Sequence, residues 1–135
     1  MKKTVTLLLV IITLFACTSD DDARLDKQII GEWKLIKAEI VNFSPNSPII
    51  DYSDKNIIYN FKSDGKLVVT GGENIEYPDG EYDYYFGEDY LGGTTDPKIL
   101  LVKINNSKWT CNLTDSEMML GQSYVDGPNL FFKRK

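Results

Sequence analysis

One missing residue type limits the chemistry of this chain more than any that is present: its 135 residues include no histidine. Histidine is the commonest general base and the commonest metal ligand, so Ser–His and Cys–His nucleophilic sites are excluded. Paired carboxylates remain, Glu81 with Asp83 and Glu88 with Asp89, and such a pair can act as acid and base on a glycosidic bond. Glu81 and Asp83, however, alternate with Tyr82, Tyr84 and Phe86, which places them on the polar face of a half-buried strand as solvated charge. The segment Asp51-Tyr52-Ser53-Asp54-Lys55-Asn56 offers oxygen ligands for calcium, yet it lacks the central glycine and closing glutamate of an EF-hand. It reads as a turn held by local side-chain hydrogen bonds. Gly71-Gly72 and Gly92-Gly93 read as hairpin tips and not as phosphate cradles. The expectation is a protein without catalysis, metal or cofactor.

Two cysteines occur, Cys17 and Cys111. Cys111 lies in the alternating run Trp109-Cys111-Leu113, where a small buried hydrophobe is expected and a nucleophile is not. The denser chemical signal is aromatic: Tyr77, Tyr82, Tyr84, Tyr85, Phe86 and Tyr90 fall within one short stretch. Aromatic faces with polar tips suit sugars and flat apolar ligands. The alternative is that Tyr82, Tyr84 and Phe86 are core or cross-strand pairs. If the chain holds a ligand, the candidate wall is Tyr59, Phe61, Tyr82, Tyr84 and Trp109.

Strands must position these side chains. Leu25, Ile29 and Ile30 have the spacing of about two helical turns over 22–30, with Asp20 or Asp21 available as a cap. Beyond them helical periodicity disappears. Residues 32–42 are rich in β-branched and apolar types, and their alternation slips once, as a bulge would make it do. Ser44-Pro45-Asn46-Ser47-Pro48 is a loop by composition. In 56–62, Ile57, Tyr59 and Phe61 share a face; Ser63-Asp64-Gly65 turns the chain and 66–70 returns as a hairpin. Residues 80–86 and 107–113 have the clearest inside and outside. Residues 98–104 are apolar on both faces, so that strand is expected to be covered outside as well. Short strands at 117–120, 123–125 and 129–134 close the chain. Many short strands joined by tight turns predict an all-β fold, an antiparallel up-and-down barrel of about eight or nine strands. An eight-stranded interior either fills with side chains or encloses one small ligand.

The N-terminus obeys different rules. Met1-Lys2-Lys3 is positive, and Thr4–Ala16 is apolar apart from threonines; as a helix those residues would rise about 20 Å, short of the roughly 30 Å hydrocarbon core of a bilayer. That is the pattern of a cleaved signal. Leu14-Phe15-Ala16-Cys17 resembles the lipobox of bacterial lipoproteins, although Phe15 is bulkier than the usual occupant. The resemblance implies palmitate-type acyl chains on Cys17, which would leave the thiol of Cys111 without a disulfide partner. Each buried methylene contributes about 0.8 kcal/mol, so two or three chains give lasting membrane attachment. The acidic run Thr18-Ser19-Asp20-Asp21-Asp22 resembles the export signal of surface-exposed Gram-negative lipoproteins; a solvated tether is the alternative. The expected organisation is a signal over 1–16, a lipidated tether over 17–24 and one domain over 25–135. Losing Lys2 and Lys3 takes the formal charge from −5 to −7, which repels phosphate backbones and makes nucleic acid an unsuitable partner.

Gly31-Glu32-Trp33, opening the first strand after a short helix, resembles the Gly-x-Trp signature of lipocalins. Leu130-Phe131-Phe132-Lys133-Arg134 resembles their last strand, whose arginine packs over the first strand's tryptophan and closes the barrel base. Trp109 to Leu120, with Leu113-Thr114-Asp115 at its centre, is similar to a strand–turn–strand passage of small lipocalin-like domains on bacterial lipoproteins. Gly31, Trp33 and Arg134 are therefore the expected structural signature. The resemblance implies a membrane-anchored envelope protein of the outer membrane that binds a small apolar or amphipathic ligand. The chain is shorter than a full lipocalin and lacks the usual disulfide, so its cavity should be smaller. The competing expectation is an interaction module whose loops 43–55 and 71–79 meet an envelope protein or a polysaccharide.

Overall fold

The computed structural model describes residues 27–41, 48–73, 75–93, 95 and 97–135. The signal at 1–16, Cys17, the tether at 17–24, the start of the helix expected over 22–30, and Pro45 with its neighbours lie outside the described residues. Residues 27–29 are helical, and the described residues after them form strands, turns and one short 3-10 segment.

Nine antiparallel strands follow: β1 (Gly31–Ile40), β2 (Ile49–Asp51), β3 (Ile58–Phe61), β4 (Lys66–Thr70), β5 (Gly80–Asp89), β6 (Ile99–Ile104), β7 (Ser107–Leu113), β8 (Glu117–Gly121) and β9 (Pro128–Arg134). Sequential neighbours pair from β3 to β9, and β9 pairs back onto β1 from Trp33↔Arg134 to Ile40↔Pro128. That pairing closes β1 and β3–β9 into a barrel and removes the free edges an open sheet would present. β2 is the additional strand, laid along the upper part of β1 from Lys37↔Asp51 to Glu39↔Ile49. Strand direction alternates, so the two ends of the barrel are defined by loops. Among the described residues, 27–30, 62–65, 90–93, 95, 97–98 and 114–116 form the base; 41, 48–57, 71–73, 75–79, 105–106 and 122–127 form the mouth.

The bulge expected in the first strand is present: the register against β9 shifts between Leu35 and Lys37. The extra residue, Ile36, lets Leu35 and Ala38 both face inward and be buried. The β3–β4 hairpin has the expected partners, with Phe61 opposite Leu67 and Tyr59 opposite Val69. Its turn closes through Lys62 N–H to Lys66 O at 2.8 Å. On β6, Val102 and Ile104 belong to the core cluster while Leu101, on the alternate face, is also fully buried. That matches a strand apolar on both sides.

Three expectations are corrected. Residues 43–55 were expected as loop, yet Ile49–Asp51 pair as β2, because two β-branched residues beside the free edge of β1 gain ladder hydrogen bonds at little entropic cost. Residues 123–125 are a 3-10 turn and not a strand. Gln122 O accepts from the N–H groups of both Val125 and Gly127, and Asp126 sits at φ 56°, which winds the β8–β9 connection into a turn. The strand expected over 80–86 runs on to Asp89, its first part pairing with β4 and its last six residues with β6.

Candidate functional site

The base is closed by two elements far apart in sequence. Arg134 lies with its Cζ 4.1 Å from the centroid of the Trp33 ring. Its Nη1 donates to Ile30 O at 3.1 Å, its Nε to Asp115 O at 2.8 Å, and its Nη2 to Gln28 O. Trp33 Nε1 donates to Ile29 O at 2.7 Å. The C-terminal carbonyls of the helical turn would otherwise lack donors, so the guanidinium and the indole cap it. Gly31 has φ 126°, and a Cβ there would come within 3.3 Å of Arg134 Nη1. Both the backbone and the close approach of the guanidinium select glycine. Gly31, Trp33 and Arg134 thus form one structural unit at the base, away from the mouth.

Aromatic side chains fill the middle of the barrel. Phe61 meets Tyr84 edge to face at 5.0 Å, and Tyr59 meets Phe132 at 4.9 Å. Above them Tyr77 enters from the loop 71–79 and packs on Tyr59 at 6.4 Å, Tyr82 at 5.2 Å and Trp109 at 6.0 Å. Its hydroxyl accepts from Trp109 Nε1 at 2.9 Å. The loop is held by Gly72 N–H donating to Asp79 Oδ1 at 2.5 Å. Tyr77 is thus buried among these rings and satisfies the one side-chain polar atom of Trp109.

This arrangement divides the expected ligand wall. Tyr82 donates its hydroxyl to Pro78 O at 2.7 Å and Tyr84 to Lys62 O at 2.7 Å, each bracing a loop. Phe61 and Trp109 are fully buried in the packed middle. Tyr59 lines a cleft of about 440 Å³ that opens at the mouth. Leu35, Ala38 and Leu130 form its apolar wall, Tyr52 and Ile75 flank it, and Glu76 and Asp126 stand beside it. Tyr77, Tyr52 and Ile75 take part in this end of the molecule but were not singled out for the ligand wall. Tyr77 belongs to the aromatic stretch noted in the sequence, but nothing local marks its role, since it reaches Trp109 across 32 positions.

Tyr59 is the unusual group. It has no exposed surface, and its hydroxyl has no hydrogen-bond partner among the described residues. A buried hydroxyl left unpaired costs about 1–3 kcal/mol. Burial first, then the neighbouring Tyr77, Glu76, Tyr82 and Tyr52, push its ionisation far above the ordinary phenol range. It is a neutral group able to donate one hydrogen bond and accept others.

Other chemistry is weak at every place it was sought. The Cys111 thiol packs against the core, and burial pushes its pKa up to about 12, so it is a poor nucleophile. Among the described residues no group of three or more Cys, Asp or Glu is gathered to hold a metal. Glu81 and Asp83 both pair with Lys66, at 3.7 and 2.7 Å, on the outer face. Asp51 Oδ1 accepts from Ser53 N–H at 2.8 Å, the local bond expected of a turn. A hollow of about 380 Å³ lies on the outside of the wall over β1, β7, β8 and β9, lined by Ile36, Met119 and Phe131. No orphaned polar atom of the Tyr59 kind lines it. No helix among the described residues is long and apolar enough to cross a membrane. Comparison with family models, with curated proteins and with solved structures gave no match.

Proposed function

We propose that this chain is a membrane-anchored, lipocalin-like binding protein that holds a small apolar or amphipathic ligand in the mouth of its barrel without catalysis. The observation that carries the reading is the mouth cleft, lined in part by Tyr59, whose buried hydroxyl has no partner among the described residues. Apolar walls with one oriented polar group are the usual composition of a small-molecule site. Because packed aromatic side chains fill the barrel interior, the ligand is small and rests at the mouth instead of running along the barrel axis. Anchoring rests on Leu14-Phe15-Ala16-Cys17 behind an apolar signal, and residence in the outer membrane of a cell envelope rests on the acidic run Thr18-Ser19-Asp20-Asp21-Asp22 that follows it.

The test is to fill the cleft. Ala38 is buried on the cleft wall, and Ala38→Phe puts a ring into it. The expected result is loss of most binding of a fluorescent apolar probe while the thermal transition stays cooperative. Unchanged probe binding in the filled variant counts against the reading. For the anchor, Cys17→Ala is expected to release the chain from the membrane fraction, and an acyl adduct on Cys17 in intact-mass spectra is the direct check.

A second reading is favoured by one observation. β2 exposes Ile49 and Ile50 and, among the described residues, pairs with β1 alone, so its outer edge can add a strand from a partner protein. Replacing Ile49 and Ile50 by lysine would abolish such an interaction and leave small-molecule binding in the mouth.

A further inference from the structure

Resting on the reading of the mouth as a ligand site, we infer that the site selects its ligand by charge, taking cationic amphiphiles and turning away anionic ones. The described residues of the mouth carry six acids, Asp51, Asp54, Glu73, Glu76, Asp79 and Asp126, against one base, Lys55. Two of the acids, Glu76 and Asp126, line the cleft itself, and no lysine or arginine does so among the described residues. Carboxylates around a low-dielectric opening focus a negative potential into it.

Acidity alone would describe only a solvated rim. The second, independent observation is Tyr59, a residue of the same cleft's lining whose hydroxyl is buried without a partner among the described residues. Burial orders the lining: Tyr59, Leu35, Ala38 and Leu130 are buried, while Glu76 and Asp126 are exposed. A ligand with a short apolar body and an ammonium group matches this order. The ammonium lies between the two carboxylates, the body covers the aliphatic wall, and a hydroxyl or carbonyl at the inner end pairs with Tyr59. Tyr52 adds an aromatic flank on which a cation is stabilised. A fatty carboxylate would carry its charge into the same field with no cation lining the cleft to receive it.

The experiment compares octylammonium, octanol and octanoate as competitors for a bound neutral probe, N-phenylnaphthylamine, on the purified chain at neutral pH. Octylammonium is expected to be the tightest and octanoate about tenfold weaker, with the difference shrinking as salt is raised. The paired substitution Glu76→Gln with Asp126→Asn is expected to bring the two ions within about twofold of each other. Octanoate binding as tightly as octylammonium, or a difference that survives the paired substitution, overturns the charge selection and leaves the ligand site standing. If the probe does not bind, or none of the three displaces it, the ligand-site reading itself falls and the selection with it.

Discussion

The two ends of the barrel use the same kinds of residue to opposite purpose. At the base, the guanidinium of Arg134 covers the Trp33 ring and donates to three backbone carbonyls, while the indole N–H donates to a fourth. At the mouth, the Tyr59 hydroxyl is buried with no partner among the described residues, and Ile40, Ile49, Ile50 and Val125 are exposed. Charge differs as well: among the described residues the base loops set Lys27, Lys62 and Lys98 against Asp64 and Asp115, whereas the mouth carries Glu73, Glu76, Asp79 and Asp126 with Lys55 as its counterweight. An end that satisfies its own polar groups holds the fold; an end that leaves them unsatisfied is prepared for something outside it. Departures from internal consistency of this kind collect where proteins bind.

The comparison breaks most visibly if the base is dismantled. Trp33 is fully buried and touches both the helical turn and Arg134. Trp33→Ala is expected to lower stability by about 3–5 kcal/mol, a large share of the total for a domain this size. Urea unfolding monitored by Trp109 fluorescence measures it. Arg134→Ala removes the cation over the ring and the donors to Gln28, Ile30 and Asp115, and is expected to lower stability by about 1–3 kcal/mol. Arg134→Lys should recover only part of that, because an ammonium cannot repeat the fork that reaches three carbonyls. Equal stability of Arg134→Ala and the natural chain would mean that the base is held by β1–β9 pairing alone.

Much of this base was legible in the sequence because it is written in residue types at fixed places. Gly31, Trp33 and Arg134 mark the two strands that meet there, and the alternation of Trp109, Cys111 and Leu113 fixes an inward face. The slip near Ile36 was readable for the same reason: a bulge shifts the apolar pattern by one residue. The mouth was less legible. Tyr59 and Phe61 alternate identically, yet Tyr59 stands two residues, about 7 Å, nearer the mouth end of β3, and only the closed barrel shows that this end meets the cleft while Phe61 packs in the middle. Tyr77 occupies a loop without periodicity, and its role depends on Trp109. Ile49–Asp51 form a strand only because the edge of β1 lies beside them, a tertiary circumstance that three residues cannot announce. Residues 123–125 carry the β-prone pair Tyr124 and Val125, but the left-handed Asp126 and the glycine after it wind them into a turn.

A truncation at the mouth sharpens the contrast by reversing its sign. Tyr59→Phe deletes a buried hydroxyl that has no partner among the described residues and keeps the ring against Phe132 and Tyr77. Stability is expected to stay level or to rise by up to about 1 kcal/mol, since the desolvated hydroxyl no longer has to be carried. Affinity for a hydroxyl- or carbonyl-bearing probe is expected to fall, while that for a purely apolar probe holds. A destabilised Tyr59→Phe would show that the hydroxyl is paired after all, and the distinction between the ends would narrow.

The smallest expected effect concerns acid. Asp89, at the base end of β5, pairs with Lys103 and accepts from the Tyr90 N–H at 2.8 Å. The Lys103 hydrogen bond first, and the backbone donor second, hold its carboxyl below the ordinary aspartate range. A carboxyl whose folded pKa lies below its unfolded value binds fewer protons in the folded state. Its contribution is therefore complete above the ordinary aspartate pKa and is lost as pH falls through the depressed folded value. Asp89→Asn is expected to flatten that part of the acid limb while leaving stability near neutral pH only slightly reduced, the group being solvent-screened. Tyr59 supplies the opposite case at the mouth: its ionisation is pushed so far up by burial that it stays neutral across the same range. Between acid and neutral pH, then, stability should respond to carboxylates such as Asp89, and Tyr59→Phe should leave the shape of the pH profile unchanged. A Tyr59→Phe profile that diverged in acid would place a titrating partner on that hydroxyl, and Glu76, the carboxylate nearest in the cleft wall, would be the first to replace.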